Sequence, residues 1–138
     1  MAKKVLVVED AQSIRRFVEV NLVRAGYEVI QADDGIEGLE RIREETPDLI
    51  VLDVVLPNMD GYEVLNWMQA EPEHRRIPVV IFTAQTEHID MRKLRHAGPI
   101  RYAIKPISAR QLVDVVKRTE ECATAQAVAA PAIAASGQ

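Results

Sequence analysis

The chain has 138 residues and a mass of 15.4 kDa, the size of one domain, with 48% hydrophobic and 28% charged residues. This composition excludes wholesale disorder, no apolar run approaches the ~20 residues of a membrane-spanning helix, and the lone Cys122 excludes an internal disulfide. The net charge of −4 conceals a split: residues 1–91 hold 18 acidic and 9 basic side chains, whereas residues 92–138 hold 3 and 8.

Short apolar runs alternate with amphipathic segments along the chain. Val5-Leu6-Val7-Val8 begins almost at once, with no signal-peptide core before it, so the cytoplasm is the expected compartment. The run ends in Glu9-Asp10, and residues 12–25 follow as a helix carrying Ile14, Phe17, Val18 and Leu22, stopped by Gly26. Glu28–Ala32 reads as a short strand, Asp34-Gly35-Ile36-Glu37 opens a second helix, and Pro47 closes it. Leu49-Ile50-Val51-Leu52 is a second fully apolar run, ended by Asp53. Asp60 and Glu63 have capping-box spacing ahead of a third helix. Pro78–Phe82 is the third apolar run, ended by Thr83, and a basic helix is predicted over 86–97. Tyr102–Ile104 is a fifth strand, ended by Lys105-Pro106, and the Ser108/Gln111 pair caps the last helix.

Five strands alternating with five helices predict a parallel sheet covered on both faces, which is why the runs lack period-2 alternation. The predicted topology is doubly wound, α/β, of strand order 2-1-3-4-5. Residues 1–122 form the domain. Residues 123–138, half alanine and uncharged, are a helix extension or flexible tail.

In such sheets ligands bind beyond the carboxyl ends of the strands. Here those ends carry Glu9, Asp10, Asp53, Thr83 and Lys105. Clustered carboxylates repel one another, and a hard divalent cation such as Mg²⁺ relieves that repulsion through oxygen ligands. Carboxylates, Mg²⁺, a lysine and a hydroxyl are components of phosphoryl-transfer sites, in which an aspartate can act as nucleophile.

Together with Leu56-Pro57-Asn58-Met59-Asp60-Gly61, these residues resemble the receiver (CheY-like) domain of two-component response regulators, over about residues 3–120. The resemblance implies a (βα)5 flavodoxin-like sandwich. It implies Asp53 as phosphoacceptor, with Mg²⁺ held by Asp10, Asp53 and the Val55 backbone carbonyl, and by Glu9 through water. Lys105 would hold a phosphoryl oxygen, Thr83 would move to the phosphoryl group, Tyr102 would turn inward as the aromatic switch, and the Lys105–Pro106 peptide would be cis. A histidine kinase or phosphotransfer protein is the implied donor. Output would pass to an effector protein, or to a homodimer, through the face of the fourth helix, fifth strand and fifth helix, including Arg92, Arg95, Arg101, Tyr102 and Arg110. Such a domain is not an enzyme beyond its own phosphorylation and dephosphorylation, and neither direct nucleic-acid binding nor membrane association is expected.

Gly98-Pro99, Arg101 and Ile107 depart from the commonest family pattern, which puts the usual acid–base dimer of the DNA-binding members in doubt. Val55 and Gln85 flank the site, and Val55 has no polar group to position a water, so self-dephosphorylation is expected to be slow to moderate. The alternative function is a receiver cut from a longer DNA-binding or enzymatic regulator. A haloacid dehalogenase-type phosphatase needs a second carboxylate where Val55 stands. His74, His88 and His96 are expected at the surface, and Tyr62 as loop packing.

Overall fold

Central strands that are apolar at every position need cover on both faces, and the computed structural model, which describes residues 2–84, 89–90, 92–94 and 96–128, provides it. Strands β1 (Lys4–Val8), β2 (Glu28–Ala32), β3 (Leu49–Leu52), β4 (Val79–Thr83) and β5 (Ile100–Ile104) form one sheet of order β2-β1-β3-β4-β5. Every pairing is parallel. All residues of β3 and β4 are buried. Helices α1 (Gln12–Arg24), α2 (Gly35–Glu45), α3 (Gly61–Gln69) and α4 (Ala109–Val128) are the helices of the described residues.

Alternate strand residues feed two cores. Leu6, Val8, Ile50, Leu52, Val79 and Ile81 pack with Ile42 of α2 and Val64, Leu65 and Met68 of α3. Val5, Val7, Leu49, Val51, Val80 and Phe82 pack with Val18 and Leu22 of α1 and Leu112 and Val116 of α4. Each fully buried Leu, Ile or Val contributes about 1.5–3 kcal/mol, so both parities of the three central strands are under the same pressure to be apolar.

The predicted punctuation is present. Arg24 ends α1, and Gly26 follows at φ 100°, a left-handed conformation that glycine adopts without strain. The Asp34 side chain accepts from the Glu37 N–H at the start of α2, Asp60 and Glu63 cap α3 reciprocally, and Ser108 and Gln111 do the same for α4. Strand β5 begins two residues earlier than its apolar pattern, because Ile100 and Arg101 pair with Val79 and Val80 while Arg101 and Tyr102 stay exposed at the sheet edge. The predicted fourth helix, His88, Arg95 and Gln85 fall wholly or partly outside the described residues, as does the tail beyond Val128. Within that helix's described part, Arg92 and Lys93 form a turn in which Asp90 accepts from both backbone N–H groups. Among the described residues no helix is long and apolar enough to cross a membrane.

Two histidines differ from expectation. His74 is buried, and His96 is half-buried where α3, the lead into β4 and the lead into β5 meet. Donation from His96 Nε2 to the Ile77 carbonyl leaves Nδ1 to accept from Gln69 Nε2 at 3.2 Å, a pattern that only the neutral ring satisfies. Burial holds the pKa of His96 below its ordinary 6.5, against the raising effect of the Ile77 carbonyl.

The unfolded chain therefore takes up this proton at a higher pH than the folded one. The stability contributed by His96 is complete above about pH 6.5 and is lost as pH falls toward the lowered folded value. In urea unfolding between about pH 7 and about pH 5, a His96→Gln variant should lose less stability than the wild type. Parallel curves for the two proteins would contradict the burial of a neutral ring.

Candidate functional site

The sheet register assembles the site. Val8 of β1 pairs with Leu52 of β3, and the Asp53 N–H donates to the Val8 carbonyl at 3.1 Å, so Glu9 and Asp53 emerge side by side. Thr83 pairs with Ile104, and the Lys105 N–H donates to the Thr83 carbonyl at 2.7 Å, which brings Lys105 to the same edge. Each of these residues is the first or last at its strand end, where the backbone ladder stops constraining the side chain.

Glu9, Asp53 and Thr83 are 2%, 6% and 1% exposed, whereas Asp10 is exposed. Buried carboxylates need partners. Lys105 Nζ donates to Glu9 Oε1 and, at 2.9 Å, to Asp53 Oδ2. The Ala11 N–H donates to Glu9 Oε2 at 3.1 Å, and the Val55 N–H to Asp53 Oδ1 at 3.0 Å. The Lys105 ammonium also lies 5.2 Å from the centre of the Phe82 ring. Burial pushes the Glu9 carboxyl above its usual range, against the opposing pull of Lys105 and the Ala11 N–H. Burial alone would depress Lys105, but its hydrogen bonds to Glu9 and Asp53 outweigh that and hold it above 10.5.

Carboxylate oxygens of Glu9, Asp10 and Asp53 lie within 4.8 Å of one another. An all-oxygen, anionic donor set of this size suits a hard divalent cation. Backbone supports converge on the same spot. The position of a Cβ on Gly61 would be 2.6 Å from the Asp53 carbonyl oxygen and 2.7 Å from Val54 Cα, so only glycine lets α3 start this close to the strand end. The Asn58 backbone is left-handed, at φ 68°, and its side chain donates to Asp34 Oδ2 at 2.7 Å, which ties the loop after β3 to the start of α2.

The arrangement brings together the predicted Glu9, Asp10, Asp53 and Lys105, and Thr83 ends the strand beside them. Val55 is 61% exposed at the rim. The Lys105–Pro106 peptide is cis. Tyr102, Arg92, Arg101 and Arg110 are all exposed. Tyr62, expected as passive packing, accepts from the Asp90 N–H at 2.6 Å and lies under Lys93, linking α3 to the segment after β4. Sequence reasoning missed Arg15, whose guanidinium donates to the carbonyls of Glu9 and Asp10. A single arginine on an amphipathic helix carries no signal that separates it from Arg16 beside it. It also missed an apolar groove of about 580 Å³ beside Lys105, lined by Ile14, Phe17, Phe82, Pro106 and Ile107.

The response regulator receiver domain family matches residues 5–117. The chain belongs to that family. The receiver domain is 43% identical over 117 residues to the alkaline phosphatase synthesis transcriptional regulatory protein PhoP of Bacillus subtilis, covering 85% of this chain and 48% of PhoP. It therefore spans about half the length of that relative. It is 36% identical to the polar-differentiation response regulator DivK of Brucella anthropi, covering 85% of this chain and 95% of DivK. Its fold is similar to the receiver domain of the sensor histidine kinase PA1611 from Pseudomonas aeruginosa, whose structure has a magnesium ion coordinated in the active-site cleft. The TM-score is 0.78 at 27% identity, covering 88% of this chain and 99% of that one.

Removing Lys105 would leave two buried carboxylates facing each other. Lys105→Ala should therefore destabilise the metal-free domain by about 3 kcal/mol near neutral pH, the low end for a broken buried pair because the lysine is partly exposed. The loss should shrink on acidification, as the raised Glu9 takes up a proton and the repulsion disappears. Urea midpoints of the variant and the wild type at about pH 7 and about pH 5 measure both effects.

Proposed function

We propose that this receiver domain accepts a phosphoryl group on Asp53 from a phosphohistidine on a histidine kinase or phosphotransfer protein, and signals through contacts that depend on the modification. The observation that carries this reading is the convergence of Asp53, Glu9, Asp10 and Lys105 on one edge of the sheet. In the transfer, an Asp53 carboxylate oxygen attacks phosphorus and forms a P–O bond. The P–N bond of the donor breaks, and the departing imidazole nitrogen keeps the electron pair and takes up a proton.

Asp10, Asp53 and the Val55 carbonyl would hold Mg²⁺ directly, and Glu9 through water. The ion supplies neutralisation of the charge on the phosphoryl oxygens. Lys105 already bonds Asp53 and would keep one ammonium N–H directed at the acceptor carboxylate as negative charge is added. Thr83 offers a hydroxyl at the end of β4 for a phosphoryl oxygen. Ile14, Phe17 and Ile107 would give a donor protein an apolar landing surface beside Lys105. Val55 offers no side-chain hydrogen bond to a hydrolytic water, which supports a slow-to-moderate loss of the phosphoryl group.

Output would run from Thr83 to Tyr102 and the exposed Arg92, Arg101 and Arg110, biasing a two-state face read by an effector or a second copy. Arg95 belongs to the same proposed face but lies outside the described residues. The match along 95% of DivK supports action through the receiver's own contacts. The PhoP match favours a second reading, in which the same switch controls a further domain.

Incubation with acetyl phosphate, with and without Mg²⁺, tests the chemistry by intact mass. The wild type should gain one phosphoryl group only when Mg²⁺ is present, and Asp53→Asn should gain none. Labelling that survives in Asp53→Asn, or that ignores Mg²⁺, would reject this mechanism. Light scattering on the same samples reports whether modification pairs the chains.

A further inference from the structure

Arg15 stands on the first turn of α1, and its guanidinium turns back toward the end of β1. One nitrogen, Nη1, donates to the Glu9 carbonyl at 2.7 Å and to the Asp10 carbonyl at 3.1 Å. Nε donates to Gln31 Oε1 on β2 at 3.3 Å, which anchors the fork from the other side. We infer that Arg15 is a positioning residue for the divalent-cation site, holding the backbone of two consecutive acidic residues so that their carboxylates are aimed before an ion arrives.

The placement explains why a fork is needed. Val8 is the last residue of β1, and the Glu9 N–H still donates to the Ala32 carbonyl at 3.1 Å. Beyond that bond the chain leaves the sheet to enter α1, and the peptides of Glu9 and Asp10 need another partner to fix their direction. Arginine supplies donors in a rigid planar array, whereas lysine supplies a point charge on a flexible stem. Groups one shell out from a metal typically change its affinity 10- to 100-fold when removed. The cost of the arrangement is a positive charge near a cation site, which by Coulomb repulsion acts in the opposite direction.

Geometry and charge therefore make opposite predictions. Arg15→Lys keeps the charge and loses the fork, and Arg15→Gln loses both. Arg16→Gln removes an exposed positive charge one residue along and serves as the charge control. Mg²⁺ affinity measured by calorimetry should fall about 10-fold in both Arg15 variants and stay near wild type in Arg16→Gln. The metal-free amide NMR signals of Asp10 and Ala11, whose peptide units contain the two carbonyls that Arg15 holds, should shift in both Arg15 variants, a change that precedes any ion. Urea midpoints in chelator report folding separately, so a variant that is merely less stable but binds Mg²⁺ with unchanged affinity when folded overturns the inference. So does tighter binding in Arg15→Gln, or wild-type affinity in Arg15→Lys. The inference rests on the metal reading of the proposed function, and wild-type protein that bound no Mg²⁺ would overturn that reading and this role together. Wild-type binding with unaltered variants would overturn Arg15 alone.

Discussion

Glu9 and Asp53 are buried side by side at the ends of β1 and β3, and the ammonium of Lys105 lies between them. Two desolvated carboxylates at this separation are tolerable only with a cation shared between them, so the position of β5 is tied electrostatically to β3 and β1, two and three places away in the sheet. The Ala11 and Val55 N–H groups satisfy the remaining carboxylate oxygens, and Phe82 shields the ammonium from one side. Asp10 alone stays toward solvent. The cluster is thus closed on the protein side and open where a ligand would arrive.

The scaffold supports this cluster by stiffness. Parallel strands covered on both faces bring every strand end to one edge, and the two cores fix the height of each strand. Gly61 lets α3 begin against the backbone of Asp53 itself, and Asn58 ties the following loop to Asp34. On the other side of the cluster, Arg15 holds the carbonyls that follow β1. The Asp53 loop is thus in direct contact with the starts of α2 and α3, and the Tyr62 hydroxyl links α3 to the segment after β4.

The apolar runs at Val5–Val8 and Leu49–Leu52, the carboxylates and lysine at the strand ends, and the capping pairs at Asp60/Glu63 and Ser108/Gln111 were all legible, because each depends on residue type at short spacing. Less legible was whatever depends on a partner distant in sequence. The first residues of β5, half-buried Ile100 and exposed Arg101, show no apolar run and take their strand conformation from pairing with β4. His96 looks like a surface residue until α3 and the lead into β4 close around it, and Tyr62 like packing until Asp90 arrives.

The sequence by itself determined the alternation of strands and helices as far as β4 and again from β5 into α4, the two-sided burial of the central strands and the identity of the charges at the strand ends, since local pattern and composition suffice for each. Only the tertiary structure decided which carboxylate is buried, that Lys105 serves Glu9 as well as Asp53, and that Arg15 rather than Arg16 turns back to the acidic pair. Those outcomes depend on register and helix rotation, which arise from packing between segments tens of residues apart and leave no trace in the spacing of neighbours along the chain.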